Sequence, residues 1–155
     1  MHALLIADRP DETAVLSLLL QLTGLTTSTG RDLERALAQR TAQPADLIVV
    51  ALQTQDPRAV VRRVRATSMV PLVLIVDVPH EDQLIALLNT GADLVVPRPY
   101  NVYLLSAQIR ALLRRAQGVA FTELPTLTVG PVTVDPAARS VQVAGSAPQR
   151  LTSLE

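Results

Sequence analysis

Few side chains in this 155-residue sequence could do chemistry, and residue type alone excludes most reactions. There is no cysteine, which removes thiolate nucleophiles, disulfides and cysteine-type metal sites. All 14 basic residues are arginine, so lysine chemistry such as Schiff-base formation is absent. His2 and His80 have no companions at ligand spacing, so a metal site on them is not expected. No glycine-rich phosphate loop, Ser-His-Asp set or paired catalytic carboxylates can be found. What remains are polar residues just past apolar runs: Asp8 after residues 3–7, Asp77 after 72–76, and Arg98 two positions after 93–96. Another such run, Asp46-Leu47-Ile48-Val49-Val50-Ala51, ends on alanine. A buried parallel strand of this kind delivers its last residue to the carboxyl edge of the sheet, where ligands and chemistry sit in open α/β proteins. The methyl group of Ala51 can neither attack nor ligate.

The elements that must position these residues follow from periodicity. Residues 3–7, 47–51, 72–76 and 93–96 read as buried strands, and 25–28 as a weaker strand at a sheet edge. Helical patterns fill the intervals at 13–22, 32–40, 58–66, 80–89 and 102–115. The first places Val15, Leu18, Leu19 and Leu22 on one face; the last carries Leu105, Ile109, Leu112 and Leu113, with Arg114 and Arg115 where cations suit the helix dipole. Arg58, Arg62, Arg63 and Arg65 read as a solvated helix face. Five β-α units in tandem imply right-handed crossovers and a flavodoxin-like (βα)5 doubly wound parallel sheet over residues 1–116.

The pattern changes near residue 116. Residues 117–125 have no helical period and read as a linker. Over 126–155, the runs 127–129, 132–134 and 141–143 alternate in period two between turn residues, which predicts a small antiparallel β-meander. Thr152-Ser153-Leu154-Glu155 has the form of a capping box announcing a helix. The meander is therefore expected to be an incomplete, truncated domain, since so small a sheet is not stable alone.

Bulk properties narrow the partners. The chain is 48% hydrophobic with zero formal net charge, enough for a well-buried domain and without overall attraction to nucleic acid or anionic membrane. Tyr100, Tyr103 and Phe121 are the sole aromatics, too few for stacking on single-stranded nucleic acid. No signal segment or membrane-spanning run is visible, so a cytoplasmic protein with no membrane association is expected.

Several motifs together resemble those of bacterial two-component response regulators. They are Leu4-Leu5-Ile6-Ala7-Asp8-Arg9-Pro10, Pro44-Ala45-Asp46-Leu47-Ile48-Val49-Val50, Pro71-Leu72-Val73-Leu74-Ile75, Gly91-Ala92-Asp93 and Arg98-Pro99-Tyr100. The first 116 residues resemble a receiver domain. Leu127-x-x-Gly130, Val134-Asp135-Pro136, Arg139-x-Val141 and Leu151-Thr152-x-x-Glu155 are similar to the start of the winged-helix DNA-binding domain of the OmpR/PhoB class.

The resemblance implies a phosphate-accepting aspartate at position 51, an acidic metal-binding pair at 7 and 8, a hydroxyl switch at 76 and a basic contact at 98. This chain has Ala51, Ala7 with Asp8, Val76, and Arg98 in place of lysine. Phosphoryl transfer needs a carboxylate nucleophile, and magnesium binds weakly to a lone carboxylate. No cofactor is therefore expected. Asp77 is open to two readings, a displaced acceptor or a loop-capping aspartate. An ion pair of Asp8 with Arg98 is expected to fill the remnant pocket, the alternative being two solvated side chains.

In relatives, charged residues of the fourth helix, fifth strand and fifth helix form the active dimer. Here that region is apolar, and Leu84, Leu87, Leu88, Leu94, Tyr103 and Ile109 are expected at a homodimer interface, the alternative being that they thicken the core. The expected function is a phosphorylation-independent pseudo-receiver, not an enzyme, that dimerises a transcription regulator. DNA would be bound only through the remainder of the winged helix. The alternative is a signalling adaptor that binds another protein and no DNA.

Overall fold

A computed structural model describes residues 1–39, 44–77, 80–116, 127–129, 132–135, 140–143, 146 and 149–150. The expected linker at 117–125 and the capping box at 152–155 lie outside the described residues. The chain divides into two compact units, Met1–Ala116 and Gln117–Glu155.

The first unit alternates strands and helices without exception: β1 (His2–Ala7), α1 (Pro10–Leu22), β2 (Thr26–Gly30), α2 (Leu33–Gln39), β3 (Leu47–Ala51), α3 (Pro57–Arg65), β4 (Leu72–Asp77), α4 (Glu81–Thr90), β5 (Leu94–Arg98) and α5 (Val102–Ala116). All strand pairs are parallel, in the order β2-β1-β3-β4-β5. This is the flavodoxin-like sheet that the β-α alternation predicts. β2, with its Thr-Thr-Ser-Thr-Gly sequence, lies at one edge, as expected of the weakest strand.

Side-chain alternation divides the core into two layers. Ala3, Leu5 and Ala7 of β1, Leu47, Val49 and Ala51 of β3, and Val73 and Ile75 of β4 pack with Leu16, Leu19 and Leu20 of α1 and Leu105, Ile109 and Leu113 of α5. Leu4, Ile6, Ile48, Val50, Leu72, Leu74 and Val76 pack on the other face with α2, α3 and α4. Strands buried on both faces must be apolar at every position, hence the uninterrupted runs.

Local signals place the helix starts. Pro10 and Pro57 sit at the first positions of α1 and α3, where a missing N–H costs nothing. Asp56 accepts the Ala59 N–H at 3.0 Å, and Asn101 accepts those of Tyr103 and Leu104 at 2.9 and 3.1 Å. Gly91, at φ +123°, ends α4.

One expected face was misphased. In α1 the buried residues are Leu16, Leu19 and Leu20, while Val15, Leu18 and Leu22 are exposed. Leucine at 16, 18, 19, 20 and 22 gives several stripes of similar hydrophobicity, so the pattern alone does not choose among them.

The second unit is an antiparallel meander, β6 (Leu127–Val129), β7 (Val132–Asp135), β8 (Ser140–Val143) and β9 (Gln149–Arg150), paired in that order. β9 carries no apolar alternation and is not visible in the sequence pattern.

Candidate functional site

The carboxyl edge of the parallel sheet is the place where chemistry is expected, and its register is well defined. Ala7 stands opposite Ala51, Val76 opposite Pro97, and Asp77 opposite Arg98. Ala7 and Ala51 are fully buried within the layer that α1 and α5 cover. Val76 is also buried, but in the layer on the opposite face of the sheet, among residues of α2, α3 and α4.

Asp8 and Arg98 do not pair. The Asp8 carboxylate accepts the backbone N–H of Gln53 at 2.8 Å and so ties the β1–α1 connection to the β3–α3 loop. Arg98 turns instead to the first turn of α1. Its Nε and Nη2 donate to the two carboxylate oxygens of Glu12, both at 2.8 Å, and its Nη1 reaches Asp77 Oδ1 at 3.3 Å. The Tyr100 hydroxyl donates to Glu12 Oε1 at 3.1 Å. Glu12 and Arg98 expose only 9% and 10% of their side chains. Two parallel N–H···O bonds between a planar guanidinium and a carboxylate are the strong, directional form of this interaction.

The electrostatics follow from that geometry. Hydrogen bonding to Glu12 holds the Arg98 guanidinium protonated even more firmly than usual, against the opposing effect of burial. Burial pushes the Tyr100 phenol up to about 12, and the neighbouring Glu12 carboxylate adds to the shift. Asp77 is the last residue of β4, bonds to Arg98 and remains largely exposed.

A divalent metal does not fit this donor set. Such an ion needs several oxygen ligands, and positions 7 and 51 supply methyl groups while Asp8 is engaged by Gln53. A groove of about 310 Å³ opens nearby, lined by Thr54, Gln55, Asp56, Arg58, Asp77 and Gln83 among others. Its acids are already partnered, Asp56 by the N-terminus of α3 and by Arg62, Asp77 by Arg98.

The expected interface residues separate into three kinds. Leu88 and Tyr103 are exposed, Tyr103 by 87%. Leu84 and Leu94 are half-buried. Leu87 and Ile109 are only 1% and 0% exposed; they are core residues, and their expected place on the interface is corrected. Ile85, Val102 and Leu104 are further exposed apolar residues of α4 and α5. Ile85 and Leu88 are three residues apart on α4 and share a face, a spacing legible only once the buried side of α4 is known.

Glu12 is the functional-site residue the sequence reading missed. Its signal was a carboxylate in the first turn of a helix directly after a strand, where the helix dipole favours negative charge. Arg65 was misread in the opposite direction. It is no solvated cation: its guanidinium donates to the carbonyls of Gly91, Ser68 and Val70 at 2.7, 3.2 and 2.7 Å and pairs with Asp93.

No protein-family model matches the chain. It is 33% identical over 147 residues to the transcriptional regulatory protein PrrA of Mycobacterium tuberculosis, an alignment covering 93% of this chain and 63% of PrrA. With the KDP operon transcriptional regulatory protein KdpE of Escherichia coli it shares 28% identity over 156 residues, covering 99% of this chain and 68% of KdpE. Among solved structures, a two-component response regulator from Clostridium difficile superposes with a TM-score of 0.66 at 24% identity, over 74% of this chain and 97% of that one. HP1043, an orphan response regulator of H. pylori, gives 0.65 at 23% identity, over 74% and 97%. The chain thus spans less than two thirds of the length of PrrA. It carries the receiver fold, and nearly all of its sequence is similar to that of transcriptional regulatory proteins.

Proposed function

We propose that this chain is the pseudo-receiver of a two-component-type transcription regulator, working without phosphorylation as the dimerising module of a DNA-binding domain. The observation that carries the reading is the closed carboxyl edge. Ala51 offers no nucleophile, Ala7 no metal ligand, and Arg98 already holds a carboxylate of its own chain. Regulation by phosphate would need all three in another form. Residues 126–155 are, in this reading, the first strands of the winged helix. The KdpE alignment, which runs through both units, supports it.

The dimer face is the apolar surface of α4, β5 and α5: Leu84, Ile85, Leu88, Leu94, Val102, Tyr103 and Leu104. Burying such a surface stabilises association by ~25 cal/mol per Å² before the entropic cost of bringing two chains together. Sedimentation of the 155-residue chain at tens of micromolar tests the proposal. A homodimer is expected without any phosphodonor, and Tyr103→Glu, at a largely exposed position, should give a folded monomer. A wild-type monomer would sink the dimer reading. That outcome would favour the adaptor reading, which a second apolar stripe supports: Val15, Leu18 and Leu22 stand exposed on α1, a helix the dimer face does not use.

A further inference from the structure

The Glu12–Arg98–Tyr100 cluster links three parts of the first unit. Glu12 belongs to the first turn of α1, Arg98 ends β5, and Tyr100 lies in the short junction before α5. Asn101 follows, its side chain accepting the Tyr103 and Leu104 N–H groups and its carbonyl accepting that of Leu105 at 2.9 Å. The first turn of α5 therefore begins two residues after Tyr100, a side chain anchored on α1. That turn carries Val102, Tyr103 and Leu104, all exposed and apolar.

A nearly buried guanidinium at the carboxyl edge of a parallel sheet is an anion receptor, because a charge taken out of water must find a partner. Here the chain supplies the anion. The Nε and Nη2 edge of Arg98 is taken by both oxygens of Glu12, and its Nη1 is shared with Asp77. We infer that Glu12 is a built-in anion that saturates Arg98 and clamps the β5–α5 junction to α1, so that the first turn of α5 is held in one arrangement with no external ligand. The inference rests on the pseudo-receiver reading and gives it a device. An anion arriving from outside has nothing left to organise.

Removing the anion and returning it from solution tests the clamp. Glu12→Ala leaves Arg98 with only its longer contact to Asp77 and opens space beside it. Hydrogen exchange should then show the Tyr103, Leu104 and Leu105 amides exchanging about tenfold faster or more than in wild type, since local opening is what exchange reports. Sodium formate should restore their protection in the variant and leave wild type unchanged; sodium chloride at equal ionic strength should not. Exchange that stays close to wild type in Glu12→Ala overturns the clamp. So does equal recovery in chloride and formate, which would be plain charge screening. Should Glu12→Ala fail to fold, the near-isosteric Glu12→Gln is read at the same amides, where faster exchange supports the clamp and unchanged exchange overturns it. Sedimentation of each sample keeps the two proposals apart. A monomeric wild type whose α5 protection depends on Glu12 removes the dimer and retains the clamp, and a dimer indifferent to Glu12 does the reverse.

Discussion

Arg65→Ala should be the most destabilising single substitution of an arginine outside the Glu12 cluster. The Arg65 side chain is 16% exposed and lies at the end of α3, where it joins the start of β4 to the α4–β5 turn. It donates to three backbone carbonyls, those of Gly91, Ser68 and Val70, and pairs with Asp93. Asp93 in turn accepts the Leu72 N–H at 2.7 Å, so removing Arg65 also loosens the first residue of β4. Hydrogen bonds to a charged group contribute ~1.5–3 kcal/mol each. Three would give roughly 5–9 kcal/mol if nothing replaced them, but water can reach the half-exposed Asp93 and the freed carbonyls. A net loss of about 3–4 kcal/mol is expected, in the range for breaking a largely buried ion pair. At ~4 °C per kcal/mol for a unit of this size, Tm should fall by about 12–16 °C. Thermal and urea unfolding followed by circular dichroism would measure it, with Arg65→Lys intermediate because ammonium cannot reach all four acceptors from one position. A Tm within about 2 °C of wild type would refute the reasoning and restore Arg65 to the solvated face, where substitutions usually change stability by no more than ~0.5 kcal/mol.

Three further outcomes are expected. Gly91→Ala should cost about 1–2 kcal/mol, because φ of +123° disfavours any side chain and the new Cβ would stand 3.1 Å from Arg65 Cγ; an equilibrium unfolding curve superimposing on wild type would contradict this. In a Tyr103→Phe variant the phenol of Tyr100 should titrate by ultraviolet absorbance at about 12; as the folded value lies above the ordinary one near ~10, its contribution to stability is complete below pH ~10 and is lost as pH rises through the folded value, and a midpoint near ~10 would show that Tyr100 is not buried against Glu12. Acetyl phosphate with magnesium should leave both wild type and Ala51→Asp without a phosphorylation-dependent change in sedimentation, the substituted aspartate facing Ala7 and an Arg98 already bound to Glu12; a stoichiometric phosphate adduct on wild type by intact mass spectrometry would point to Asp77 and overturn the pseudo-receiver reading.

Much of this protein is written locally. A strand buried on both faces has to be apolar at every position, so β1, β3 and β4 announce themselves. Pro10, Pro57, Asn101 and Gly91 mark helix ends by local backbone or capping chemistry that needs no distant partner. The missing carboxylate at position 51 is likewise a matter of residue type, since no tertiary contact can turn a methyl group into a nucleophile. Pairing is another matter. Asp8 was free, on the sequence, to meet Arg98, and nothing in the pattern singled out Glu12. Which carboxylate reaches the guanidinium depends on how α1 lies over the carboxyl edge, a product of the whole core layer of Leu16, Leu19, Leu105 and Ile109. The same holds for the leucine-rich helices, where several stripes compete and only the fit against the sheet chooses Leu87 and Ile109 for the core and leaves Leu88 and Tyr103 outside. Composition and period therefore determined the architecture and the absence of a nucleophile at position 51. Tertiary structure decided the partners of each charge and the faces left to solvent, because both depend on distances between segments far apart in the chain.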